Sequence, residues 1–139
     1  MRKARLVLAL GLSLTALPLA ASRTDDSASA AVMPGRVEAV TATDLAARQA
    51  RGEVLLVDVR SAEEFAAGHI PGAVNLPLES VTRASLPQAS GREIVLYCRS
   101  GKRSNIAATR LAEAGMPVVR QLDGGIQGWE AAGLPTSKQ

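Results

Sequence analysis

The sequence predicts an α/β domain with a mostly parallel central sheet and helices on both of its faces. Three observations predict it. Val54-Leu55-Leu56-Val57 with Val59, and Ile94-Val95-Leu96-Tyr97, are short apolar runs. Continuous runs of this kind suit strands buried on both faces, as in parallel sheets. Helix-start signals follow each run closely, and strand and helix patterns alternate along the chain. At 139 residues the chain is long enough for one domain with a sizeable core, and no internal repeat is visible.

The elements follow in order. Val37–Val40 reads as a first short strand. Thr43 reads as a helix N-cap, with Leu45, Ala46 and Ala50 behind it and Gly52 as the stop. The Val54–Val59 strand comes next. Ser61 is the next N-cap, and Glu64 three residues on completes a capping box, with Gly68 ending that helix. Ile70–Pro77 reads as a turn and a very short strand, Glu79–Leu86 as a loose helix, and Pro87 to Gly91 as a loop. After the strand before Cys98, Ala107, Leu111 and Ala114 at i, i+4 and i+7 mark the pattern of a longer helix, with Arg110 and Glu113 off that stripe, and Gly115 suits its C′ position. Pro117–Leu122 holds another strand, Asp123-Gly124-Gly125 a turn, and Ile126–Ala132 a last short helix carrying Trp129.

The N-terminus stands apart. Arg2, Lys3 and Arg5 precede an uncharged stretch of 16 residues, Leu6 to Ala21, interrupted by Pro18. Small residues and then Arg23-Thr24-Asp25-Asp26 follow. This is the three-part layout of a secretory signal peptide over residues 1–22, with an alternative cleavage as late as Ala30. The apolar stretch is short for a membrane span of about 20 residues. The expected product is exported, periplasmic in a Gram-negative host, and not stably held at a membrane. Residues 23–36, rich in Ser, Ala, Asp and Thr, read as a disordered spacer, and residues 37–136 as the domain.

The signal also accounts for the charge. The chain carries 16 basic and 13 acidic residues; losing residues 1–22 removes three cations and no acids, which leaves 13 of each. Neutrality and a 2% aromatic content argue against a nucleic-acid surface.

The chemistry concentrates around the single cysteine, Cys98. An apolar strand leads into it, and a polar loop with Arg99, Lys102 and Arg103 leads from it into a helix. Unpaired N–H groups and the macrodipole at a helix N-terminus favour anions. The same surroundings favour a thiolate, the nucleophilic form of cysteine. One cysteine cannot form an internal disulfide, and an exported unpaired thiol is exposed to oxidation, so a working Cys98 is expected over a merely buried one. In open α/β sheets ligands sit beyond the carboxyl ends of the strands. Cys98 and Asp58-Val59-Arg60 both lie there. A single histidine, His69, cannot build a His-rich metal site.

Five segments recur together: Asp58-Val59-Arg60, Glu63-Glu64-Phe65, Gly68-His69-Ile70-Pro71-Gly72-Ala73-Val74-Asn75, Tyr97-Cys98-Arg99-Ser100-Gly101-Lys102-Arg103-Ser104 and Gly124-Gly125-Ile126-Gln127-Gly128-Trp129. In this order they resemble the rhodanese family of thiosulfate sulfurtransferases, in its single-domain, exported form. The resemblance implies transfer of sulfane sulfur from thiosulfate to cyanide or a thiol through a persulfide on Cys98. It implies that Arg99, Ser100, Gly101, Lys102, Arg103 and Ser104 hold the anion, with Arg60 either at the mouth of the site or in a structural ion pair with Glu64. Asp58 is expected to hold the loop, His69 to sit in a structural turn, and Trp129 to pack. No cofactor or metal is implied, and a monomer is expected. One alternative is a persulfide carrier or partner-binding module with little turnover. Another is a phosphatase or arsenate reductase of the related fold, whose loops follow Cys-x5-Arg. Here Arg103 makes the spacing Cys-x4-Arg.

Overall fold

A computed structural model of the chain describes residues 33–139 and Gly11. The expected signal peptide and most of the spacer lie outside the described residues. Among the described residues no helix is long and apolar enough to cross a membrane.

Five strands form one sheet: β1 (Arg36–Val40), β2 (Val54–Asp58), β3 (Val74–Asn75), β4 (Glu93–Tyr97) and β5 (Val118–Leu122). Their spatial order is β1-β5-β4-β2-β3, and every pairing is parallel. Three helices lie between strands, α1 (Ala42–Ala50), α2 (Ala62–Ala67) and α3 (Lys102–Glu113), and a fourth, α4 (Gly125–Ala131), follows β5. The apolar runs of β2 and β4 lie at the sheet centre, where neighbours cover both edges.

Side chains alternate across these strands. Val54, Leu56, Val95 and Tyr97 join Leu45, Ile126 and Trp129 in one core cluster, against α1 and α4. Val57, Leu96, Cys98 and Val119 join Ala107, Ala108 and Leu111 in the other, against α3. Small alanines on α3 let the helix lie close to the sheet. Both faces are therefore covered, as the apolar runs require.

Two expectations are corrected. The first helix is capped by Thr41 and not by Thr43: the Thr41 hydroxyl accepts from the Asp44 N–H at 3.2 Å. This start leaves Leu45, fully buried, in the second turn, facing the core. Glu79–Leu86 is not a helix beyond one 3-10 turn, Leu78–Ser80. Thr82 and Ser85 exchange side-chain bonds with each other's backbone N–H groups, at 2.8 and 3.1 Å, and Ser85 Oγ donates to the Ser80 carbonyl at 2.7 Å. Such local bonds offer the backbone an alternative to the helical ladder.

Other termini form as the sequence indicates. Ser61 and Glu64 make both bonds of the capping box. At the end of α3, Gly115 N–H binds the Ala112 carbonyl at 3.0 Å and Met116 N–H binds that of Leu111 at 3.1 Å. Gly115 has φ +93°, so this is a Schellman ending with glycine in the left-handed region.

Candidate active site

Strands β2, β4 and β5 end side by side, and the residues after them share one edge of the sheet. Cys98 follows β4 directly. Its backbone is fixed from α4: Ile126 N–H donates to the Cys98 carbonyl at 2.8 Å and Gln127 N–H to that of Arg99 at 3.1 Å. This approach is possible because Gly125 has no side chain; a Cβ there would stand 2.5 Å from both carbonyl oxygens. Gly124 and Gly125 carry φ +72° and +59°, which fits their expected role in a backbone turn.

The loop then curls around the sulfur. Gly101, at φ +101°, turns its N–H to Cys98 Sγ at 3.1 Å and starts α3. Ser104 Oγ, buried in the first turn of α3, lies 3.6 Å from the sulfur. Cys98 itself is 1% exposed. Burial pushes its thiol up, but hydrogen bonds from Ser104 and from the N–H groups of Gly101 and Ser100 outweigh it, and the pKa falls below the ordinary thiol value.

The cations divide into two kinds. Arg99 and Lys102 are exposed and make no ion pair among the described residues. Arg103 instead forms a two-pronged pair with Glu64 of α2, at 2.8 and 2.9 Å. The Arg103 guanidinium, against the opposing effect of partial burial, brings the Glu64 carboxyl down to about 2. Arg103 thus pins α3 to α2, and its charge is already met by Glu64.

Arg60 is in an ion pair, but its partner is Asp58 and not Glu64. Its Nη2 lies 2.7 Å from Asp58 Oδ2, and it also donates to the Gly68 carbonyl at 2.7 Å. Asp58 is fully buried and also accepts from the Arg60 N–H at 2.9 Å, so it holds this loop. Arg60 still lines a cleft of 340 Å³ beside the site, together with Glu64, Gly68, Arg99, Gln127 and Glu130. His69 is structural: it bridges to Ser137 through paired backbone bonds of 2.8 Å and stacks on Phe65. Trp129 is buried and donates from Nε1 to the Pro135 carbonyl at 2.8 Å.

Gln121 is the residue that sequence reasoning does not single out. Its Oε1 stands 2.7 Å from Ser104 Oγ, one bond away from the sulfur's own partner. The one signal in the sequence is its place, at the end of β5 just before the Asp123-Gly124-Gly125 turn. The Glu64–Arg103 pair joins residues 39 apart, and nothing in the local pattern of either residue indicates it.

Comparison with known proteins agrees with this geometry. The model of the rhodanese-like domain matches residues 41–132. A sulfurtransferase of Allochromatium vinosum is 42% identical over 60% of this chain and 78% of its own length. An uncharacterized protein of Synechocystis sp. is 47% identical over 61% of this chain, but the chain spans only 48% of that relative's length. The crystal structure of a rhodanese-related protein from Thermoplasma volcanium superposes with a TM-score of 0.64 at 25% identity, covering 73% of this chain and 99% of that one. A parallel sheet of this order, a cysteine in a loop that opens a helix, and a family match over most of the described residues agree: the chain belongs to the rhodanese-like domain family.

Proposed function

We propose that the chain is a thiosulfate sulfurtransferase acting through a Cys98 persulfide. The observation that carries this reading is the Gly101 N–H aimed at Cys98 Sγ at 3.1 Å, in a loop where Arg99 and Lys102 face solvent and make no ion pair among the described residues. Donors placed around sulfur stabilise its anionic forms, thiolate and persulfide alike.

The reaction runs in two half-reactions. The Cys98 thiolate attacks the sulfane sulfur of thiosulfate. The sulfur–sulfur bond of thiosulfate breaks, and sulfite leaves with the electron pair. The persulfide anion on Cys98 then occupies the space facing the loop N–H groups. A nucleophile, cyanide or a thiolate, attacks the outer sulfur, and the Cys98 thiolate leaves. Arg99 and Lys102 draw the dianionic donor to the loop, and the Ser100, Gly101 and Ser104 donors hold the charge on sulfur. Arg103 and Arg60 act at one remove, by fixing α2 and the Asp58 loop. The near-complete burial of the sulfur favours a donor of a few atoms over a bulky ester.

Two-step covalent transfer has a kinetic signature. Initial rates with thiosulfate and cyanide varied together give parallel double-reciprocal lines, and Cys98→Ser reduces turnover to background. Persulfide formation without turnover would favour a carrier. Hydrolysis of an aryl phosphate without either would favour the phosphatase alternative. We also place the mature chain outside the cytoplasm, from the signal-like residues 1–22; export of a reporter fused after residue 36 tests that placement, and retention in the cytoplasm contradicts it.

A further inference from the structure

Gln121 stands behind Ser104, which stands beside Cys98. Ser104 Oγ is 2.7 Å from Gln121 Oε1 and 3.6 Å from Cys98 Sγ. Gln121 and Val119 lie two apart on β5 and so share the sheet face against α3, where Cys98 also packs. Ser104 is fully buried, so water does not supply its hydroxyl with partners.

A serine hydroxyl has one proton to donate. As placed, with Oε1 toward Ser104, the Cys98 thiol donates to Ser104 Oγ, and the Ser104 hydroxyl donates to Gln121 Oε1 at 2.7 Å or to the more distant Gly101 carbonyl at 3.1 Å. This direction suits a protonated cysteine. When Cys98 loses its proton to solvent, the sulfur becomes an acceptor only. Ser104 then serves the sulfur best by turning its O–H toward it, which leaves Ser104 Oγ free to accept. An amide can meet that need, because it carries an acceptor and a donor on one planar group and exchanges them by a half-turn.

We propose that Gln121 is a positioning residue for the nucleophile. Its amide reverses the Ser104 hydroxyl as Cys98 passes between thiol and anion, accepting from Ser104 in the first state and donating to it in the second. No bond other than the Cys98 S–H is made or broken in this reversal. The same reversal serves the persulfide cycle, in which the charge on sulfur moves out and returns. The inference rests on Cys98 being the nucleophile, but not on thiosulfate being its donor.

The test is the pH dependence of Cys98 alkylation by iodoacetamide, which reads the thiolate directly and needs no sulfur donor. Gln121→Met keeps the shape and removes both hydrogen-bonding groups. It is expected to move the midpoint to higher pH and to slow alkylation below the midpoint by about fivefold, the size of one net hydrogen bond, because the thiol state keeps the Gly101 carbonyl as an acceptor for the Ser104 hydroxyl while the anionic state loses its donor to Ser104 Oγ. The decisive arm is the double variant. In a Ser104→Ala background Gln121→Met is expected to change nothing further, because Gln121 acts only through Ser104. Gln121→Asn, which keeps an amide, checks that a loss reflects the group and not the fold, and near-normal ionisation is expected there. An unchanged midpoint in Gln121→Met, or a shift of equal size with and without Ser104, overturns the proposal. Normal relay behaviour without sulfur transfer would leave it standing and refute the sulfurtransferase reading instead.

Discussion

Gly125 carries two constraints at once. Its φ of +59° strains any side chain, and a Cβ would meet the Cys98 and Arg99 carbonyl oxygens at 2.5 Å. Gly125→Ala is therefore expected to lower stability by about 2 kcal/mol or more in chemical denaturation, and to loosen the loop around the thiol. A stability loss below about 0.5 kcal/mol, the range of an ordinary surface substitution, would contradict the packing described. The loop cations separate in the same way. Lys102 is exposed and makes no ion pair among the described residues, so Lys102→Ala is expected to raise the KM for thiosulfate several-fold while leaving persulfide transfer to cyanide nearly intact. Equal losses in the two half-reactions refute its role in binding. The sequence makes Cys98 and its basic loop legible, since a strand, a glycine and a helix start are local signals. It does not separate Arg103 from Lys102, because that difference lies in Glu64, which the chain brings in from another helix.

The capping box of α2 ties into the site. Glu64 accepts from the Ser61 N–H at 3.0 Å and from both Arg103 nitrogens. One carboxylate thus caps the start of α2 and braces the first turn of α3, next to the loop after Cys98. Its folded pKa, about 2, lies below the ordinary carboxylate value. A depressed acid contributes stability that is complete above its unfolded pKa and fades as pH falls through its folded one. Glu64→Gln is therefore expected to flatten the stability profile between about pH 4.5 and 2 relative to the parent. The difference is expected to be about 0.5–1 kcal/mol, since water screens this partly exposed pair. Curves that stay parallel across that window would remove Glu64 from the linkage. Element boundaries show where local reading stops. The capping box at Ser61 forms as written, because its two partners are adjacent in sequence. Thr41 and Thr43 offer nearly equal caps, and burial of Leu45 chooses between them. The Thr82–Ser85 exchange replaces the helix that the composition of Glu79–Leu86 suggests.

Across the whole domain, the alternation of apolar strands and helices was enough to read the fold class, because burial on both faces leaves a plain mark on β2 and β4. Strand order was not readable from the chain alone. The order β1-β5-β4-β2-β3 places β4 between β5 and β2, and this sets Cys98 between two strand ends, that of β5 with Gln121 and the glycine turn and that of β2 with the Asp58–Arg60 loop. None of those neighbours lies close to Cys98 in sequence. The fold thus surrounds a buried thiol with hydrogen-bond donors and leaves Arg99 and Lys102 at its rim, exposed and without an ion pair among the described residues. The measurement that bears most directly on this site is the intact mass of the protein after incubation with thiosulfate, beside Cys98→Ser. A gain of about 32 Da, one sulfur atom, on the parent alone and reversed by cyanide is the expected result. An unchanged mass on a protein whose Cys98 still alkylates readily would contradict sulfur transfer from thiosulfate at this site.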